Sequence, residues 1–259
     1  MRKNRKRQTA LDCFRANYIA HRGLFDNAGD APENSTLAFK MAVEGGYGIE
    51  MDIQLSKDKQ VVVTHDYSLE RICGVDKNVR DLTYQELYNY KILNSNEKIP
   101  LLTDILRIVD GKVPLIVELK AEWDYKELCA LTAEILSTYT GEYCIESFSP
   151  YVVGWYKKNY PEIIRGQLSD DFLHKKYFKS RIKNFILTNM VFNIVNMPDF
   201  IAYNHKFSGK KCIKFWQKIL GCSLAAWTIT SQEELNFAST IFDIIIFDSF
   251  IPKKIKETA

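Results

Sequence analysis

Gly48-Ile49-Glu50-Met51-Asp52-Ile53-Gln54-Leu55 alternates without a break, with Ile49, Met51, Ile53 and Leu55 on one face and Glu50, Asp52 and Gln54 on the other. A period of two is the period of a β-strand. In a barrel the charged face points inward. In a half-solvated antiparallel sheet the same charges would merely face water. The sequence around this stretch bears on which applies. Leu115, Val117 and Leu119 alternate with Glu118 and Lys120 in the same way, so a second strand repeats the pattern.

Strand-like and helix-like segments alternate along nearly the whole chain, which argues for a parallel sheet with crossover helices. The strand candidates are Tyr18–Arg22, Gly48–Leu55, Leu115–Lys120, Tyr143–Phe148, Arg165–Leu168, Phe200–Tyr203, Leu224–Ile229 and Ile244–Phe247. Eight units in a chain of this length suit an α/β fold of the (β/α)8 TIM-barrel type better than a doubly wound sheet. After the second strand, Lys57-Asp58-Lys59 turns the chain into Val61–His65, and residues 67–100 form an excursion placed to rim the pocket.

Helix ends are also legible. Asn34-Ser35 can cap a helix that stops at Gly45-Gly46. Thr83 with Glu86, and Ser231 with Glu234, have the spacing of capping boxes, and Pro150 sits at a first helical position.

The chain has 259 residues, of which 46% are apolar, enough for one barrel or two small domains. No linker or repeat divides it, so residues 18–259 are read as a single domain behind a basic N-terminal tail, 1–17. Met1–Arg7 carries much of that tail's charge. The apolar core of a signal peptide is missing after it, because Gln8, Asp12, Arg15 and Asn17 interrupt the run. The tail is read as solvated, with weak attraction to anionic surfaces as the alternative. A net charge of +3 does not argue for nucleic acid. No apolar run approaches the ~20 residues of a membrane span. Six scattered cysteines without a C-x-x-C pair suggest reduced thiols and a cytoplasmic location.

Residues 175–198 are unusual. A basic run, Lys175 to Lys183, precedes an almost wholly apolar one, Phe185 to Val195. The plain reading is a barrel helix with an exposed lead-in. The sharper one is a hydrophobic lip that meets lipid or a partner chain.

The chemistry is concentrated near the strand ends. Glu50 and Asp52 lie about 6.5 Å apart along one face, close enough to converge on a hard cation. Glu118 can complete a three-carboxylate site, and Lys120 puts an anion partner beside it. Clustered inward carboxylates without a cation would repel one another, so a divalent ion explains them economically. His21 ends the first strand and His65 the return strand, so both can reach one mouth, one accepting a proton while the other donates. His174 and His205 are read as structural. Arg22 adds a fork of donors suited to phosphate. A phosphodiester gains negative charge toward its transition state, which is where such cations act.

These residues stand in recognisable motifs: His21-Arg22-Gly23, Pro32-Glu33-Asn34-Ser35, Glu50-Met51-Asp52, His65-Asp66, Leu69 to Arg71, Asp81-Leu82-Thr83, Ile99-Pro100 and Val117-Glu118-Leu119-Lys120. In order and spacing the chain resembles the glycerophosphodiester phosphodiesterase family of metal-dependent barrel enzymes. The likeness is strong over residues 18–120 and thinner beyond, at Phe148, Trp227-Thr228 and Ile245 to Asp248. It implies that Glu50, Asp52 and Glu118 bind one divalent cation, Mg2+ or Ca2+. It also implies that His21 and His65 are the acid–base pair, and that Arg22 and Lys120 hold the phosphate. Trp227 and Phe148 would line the substrate side, and Glu33 and Asn34 would support the loop. In that family the neighbouring glycerol hydroxyl is thought to attack phosphorus, giving a cyclic phosphate that water opens.

Ser35, Ile229-Thr230 and Phe247 to Phe250 depart from the usual family residues, around the pocket rather than in the proposed machinery. The expected activity is hydrolysis of a small-molecule glycerophosphodiester to sn-glycerol 3-phosphate and an alcohol. The alternatives are a lysophospholipase D-type enzyme using the apolar lip, and a non-catalytic anion-binding barrel. The sequence does not set the head group, the ion or the oligomeric state.

Overall fold

The computed structural model describes residues 7, 9–121 and 123–253. The first six residues of the basic run lie outside the described residues. The alternating stretch forms one strand over its whole length, Gly48–Leu55. In chain order the strands are β1 (Tyr18–His21), β2 (Gly48–Leu55), β3 (Val61–Val63), β4 (Leu115–Leu119), β5 (Tyr143–Ser147), β6 (Arg165–Ser169), β7 (Phe200–Asn204), β8 (Ser223–Ile229) and β9 (Ile244–Phe247). β1 is parallel to both β2 and β9, which closes an eight-stranded parallel barrel, and β3 is added antiparallel to β2 outside the ring. Helices connect the strands, so the fold is a TIM barrel. Each predicted strand agrees with an observed one to within one residue at either end.

The alternation explains the layers. Ile49, Met51 and Ile53 of β2 and Leu115, Val117 and Leu119 of β4 face outward into the main core, against helix residues such as Phe39, Ile105 and Leu128. The inward positions change character along each strand. Ile19, Ile116 and Cys144 belong to an apolar cluster at the N-terminal ends of the strands. Two residues further on, the same face carries His21, Glu118 and Glu146, which line the cleft at the C-terminal ends. The floor is apolar and the mouth is charged. Gly166 has no side chain because the Phe200 ring occupies that volume, within 2.2 Å of where a Cβ would sit.

Residues 1–17 were expected to form a basic tail; residues 1–6 and 8 lie outside the described residues, and the part that is described packs against the barrel. Asp12–Ala16 is helical, and Leu11 and Phe14 are fully buried among Ile19, Ile116, Phe200 and Ile244. An open barrel end exposes apolar floor residues, so the N-terminal segment covers it. Arg7 forms an ion pair with Asp199, and its Nη2 donates to the Ile163 carbonyl at 3.0 Å.

The capped helices behave as their sequences dictate. Ser35 accepts from the Ala38 amide at the start of Thr36–Glu44, and Thr83 with Glu86 forms a full capping box. Ser231 caps Gln232–Ala238, whereas the Glu234 carboxylate accepts from Thr230 instead of closing the box on Ser231. The excursion 67–100 has its own apolar cluster, including Leu69, Ile72, Val79, Leu82 and Leu87. Phe185 to Val195 is divided between helix Arg181–Thr188 and a single turn, Asn193–Asn196.

Candidate active site

β2 and β4 lie side by side with Asp52 opposite Glu118, while β1 sets His21 opposite Glu50. This register brings one oxygen each of Glu50, Asp52 and Glu118 within 4.8 Å of one another, with all three side chains buried. Lys120, just past β4, places Nζ 3.1 Å from Asp52 Oδ1 and 2.8 Å from Glu118 Oε1. Burial penalises the charge of Asp52, yet Lys120, His65 and Arg22 outweigh it and hold the carboxyl well below the ordinary range. Glu50 and Glu118 go the other way. Burial raises both, and neighbouring carboxylates add to the rise. Oxygen-only donors that repel one another and are shielded from water suit a hard divalent ion. Asp52 Oδ1 is buried and meets only the Lys120 ammonium among the described residues, so the three carboxylates outnumber the one lysine set between them.

The turn after β1 places Arg22. Its φ is 58°, unusual for a residue with a side chain, and Gly23 follows at 85°, where a Cβ would come within 2.9 Å of the Ala38 carbonyl carbon. In this conformation the Arg22 amide donates to Glu50 Oε2 at 3.1 Å, while its guanidinium bonds Glu33 Oε1 at 2.6 Å and lies 3.3 Å from Asp52 Oδ2. Asn34, also left-handed at φ 56°, donates through Nδ2 to Asp52 Oδ2 at 2.9 Å and accepts from the Asp52 amide. Arg71 reaches across from the excursion and holds Glu33 through both terminal nitrogens, at 2.8 and 2.7 Å. Burial works against ionisation of Glu33, but these bonds and the Arg22 charge prevail and lower it to about 2.

Both histidines are held through Nδ1. His21 Nδ1 is 2.9 Å from Asp248 Oδ2, and His65 Nδ1 is 2.6 Å from Asp66 Oδ1. Asp66 is in turn bonded by Arg71 at 2.5 Å. Gln54, the third polar residue of β2, donates to the carbonyls of Thr64, His65 and Asp66 and so fixes the His65 loop. Burial lowers the basicity of His21, and the Asp248 hydrogen bond opposes that.

One cleft is lined by His21, Arg22, Glu50, His65, Glu118 and Lys120, with Phe148 and Trp227 on its apolar wall. Phe148 and Trp227 meet edge-to-face at 5.5 Å, and the Trp227 indole N–H is buried without a partner. Asp52 lies just beneath, and Glu33 and Asn34 brace the first turn rather than line the cleft. His205 sits apart, with ring nitrogens 3.4 Å from the Trp227 carbonyl and 3.5 Å from Glu234.

Three groups were not given a part by the sequence reading. Asp248 and Asp66 orient the histidines, and an acid directly after a strand or beside a histidine was the available signal. Glu146 is a fourth inward carboxylate, opposite Glu118 in the register, with Oε2 buried and unpartnered. Burial, then Glu118 and Asp52, push it well above the ordinary carboxylate range.

Residues 21–248 match the model of the glycerophosphoryl diester phosphodiesterase family. A glycerophosphodiester phosphodiesterase from Caldanaerobacter subterraneus subsp. tengcongensis is 28% identical over 84% of this chain and 87% of its own length. The putative glycerophosphodiester phosphodiesterase YhdW of Bacillus subtilis is 32% identical over 56% of this chain, a match that spans only 62% of YhdW. Among solved structures, an Oleispira antarctica phosphodiesterase in complex with the product sn-glycerol-3-phosphate superposes with a TM-score of 0.75, covering 93% of this chain and 95% of that one at 22% identity.

Proposed function

Since this chain belongs to the glycerophosphoryl diester phosphodiesterase family of phosphoric diester hydrolases, we propose that it splits glycerophosphodiesters into sn-glycerol 3-phosphate and an alcohol. The observation that carries this reading is the convergence of His21 and His65, each with an acid on Nδ1, on a cleft floored by three buried carboxylates.

In this proposal Glu50, Asp52 and Glu118 would hold one divalent ion, Mg2+ or Ca2+. The ion would supply positive charge to the phosphoryl oxygens. Arg22 and Lys120 add fixed donors where charge grows on those oxygens, and their own salt bridges keep them in place. A carboxylate on Nδ1 leaves Nε2 of each histidine to the substrate. One imidazole takes the proton of the glycerol hydroxyl adjacent to the ester as that oxygen attacks phosphorus. The other gives a proton to the departing alcohol, and the roles reverse when water opens the cyclic phosphate. Phe148 and Trp227 would carry the glycerol carbons, with the free indole N–H as a donor to a hydroxyl.

Product identity tests the reading. Glycerophosphocholine incubated with the protein and Mg2+ or Ca2+ should yield sn-glycerol 3-phosphate and choline. Phosphocholine and glycerol would mean that the other ester bond is cut and that the glycerol side is misassigned.

A further inference from the structure

Outside the cleft, the flank built from the segments after β6 and β7 combines charge and exposed apolar surface. Between Phe172 and Cys222 there are ten lysines and arginines and a single acidic residue, Asp199. That surplus of nine compares with three for the whole chain, so the remainder is acidic by six. Lys175 and Lys210 are paired with Asp170 and Asp171, and Lys183 lies over the Phe178 ring at 3.6 Å. The other seven basic side chains form no ion pair among the described residues, and Asp199 is already engaged by Arg7 and Arg165.

Large apolar side chains stand among these charges. Ile182 and Phe185, one turn apart on helix Arg181–Thr188, are 74% and 54% exposed. Phe215 and Ile219, one turn apart on helix Lys211–Leu220, are 54% and 51% exposed. The two helical segments are joined, since Trp216 Nε1 donates to the Asn189 carbonyl at 2.7 Å. The surface also connects to the cleft. From the Trp227–Phe148 pair, Phe148 meets Phe172 at 6.1 Å, and Phe172 meets Tyr177, itself 70% exposed, at 5.9 Å. The apolar wall of the site therefore continues outward to the edge of the patch.

The combination selects among partners. A second copy meeting this face with its own would bring two strongly positive surfaces together. Nucleic acid would suit the lysines and could stack on Phe185 and Phe215, but Ile182 and Ile219, exposed beside those rings, offer it neither charge nor a stacking plane, whereas a bilayer takes up all four side chains. An anionic bilayer takes both components, with apolar side chains at the acyl boundary and lysine and arginine among the phosphates. No helix among the described residues is long and apolar enough to cross a membrane, so such contact is peripheral. We propose that this flank docks the protein reversibly on anionic lipid bilayers, with the mouth of the cleft beside the lipid surface.

Vesicle co-sedimentation of the full chain tests this without substrate, so its failure would leave the proposed reaction untouched. The wild type is expected to partition onto phosphatidylcholine vesicles containing one third phosphatidylglycerol and not onto phosphatidylcholine alone, and to be released by 0.5 M NaCl. Each cation near such a surface is worth about fivefold in affinity. Lys179→Glu with Arg181→Glu, and separately Ile182→Ser with Phe185→Ser, should each lower partitioning at least about tenfold while the circular-dichroism melting curve stays in place. The proposal is overturned by absent or equal partitioning on the two vesicle types, by partitioning that neither pair changes, or by a solution dimer that both pairs dissociate.

Discussion

His21 and Asp248 are 227 positions apart in the chain, yet Nδ1 of the imidazole lies 2.9 Å from the carboxylate. They meet because β1 and β9 are neighbours in the closed ring. The acid fixes the tautomer and stabilises the charged ring. Asp248→Asn is therefore expected to lower turnover of glycerophosphocholine by about 100-fold or more, as loss of an orienting carboxylate does elsewhere. Burial already lowers the pKa of His21 and Asp248 raises it. Removing the acid should move whichever limb of the pH–rate profile belongs to His21 to lower pH. An unchanged profile would show that Asp248 does not act through His21.

The carboxylate cluster makes a stability prediction that does not involve turnover. Glu50, Glu118 and Glu146 all have pKa values raised by burial, with the Asp52 charge adding to the rise in each and Lys120 opposing it at Glu118 and Glu146. Groups of this kind contribute stability that is full below the ordinary glutamate pKa and is lost as pH rises through the raised folded-state value. In EDTA the melting temperature should fall as pH rises above the ordinary glutamate range. Mg2+ or Ca2+ should raise it again by binding only the folded chain. Glu146→Gln should flatten the fall in EDTA and shrink the rise with the ion. Differential scanning fluorimetry reads all three, and a melting temperature indifferent to the ion would remove the case for a cation here.

Glu33 works in the opposite sense. Its pKa is about 2 in the fold against 4.5 ordinarily, because Arg71 and Arg22 overcome burial. The stability it contributes, on the order of 3 kcal/mol, is present above pH ~4.5 and disappears as pH falls toward ~2. Glu33→Gln should be less stable than wild type by urea unfolding at pH 7, with a gap that narrows steadily below pH ~4.5. A gap independent of pH would mean that the side chain acts by packing alone.

Phe14 separates a barrel plug from a solvated tail. Its ring is fully buried against the floor of the barrel. Phe14→Ala is expected to cost about 3–5 kcal/mol in urea unfolding. A tail residue would cost nothing measurable.

What was legible in the sequence follows from how locally each feature is encoded. Glu50, Asp52 and Gln54 share a face by the period of the strand alone, and Glu118 with Lys120 repeats it, so the barrel and its carboxylates could be read from short windows. The plug could not. Leu11 and Phe14 sit among polar residues, and only the open floor of the barrel gives them a place to be buried. The Asp248–His21 contact required knowing that the first and last strands pair. Glu146 was hidden because Tyr143 and Ser147 blur the alternation of β5. The bracing of Glu33 by Arg71 joins residues 38 positions apart across the excursion and has no local signature.

The central claim is that two histidines and a divalent ion held by three carboxylates act together on a glycerophosphodiester. Its most direct test is the release of sn-glycerol 3-phosphate from glycerophosphocholine by the wild type, His21→Ala and His65→Ala, each with Mg2+ or Ca2+ and again in excess EDTA. The account predicts release by the wild type that stops on chelation and returns with the ion. It also predicts a loss of about 100-fold or more in each variant, with melting curves that show a folded chain. Undiminished release in EDTA, or near-wild-type turnover in either histidine variant, would contradict it.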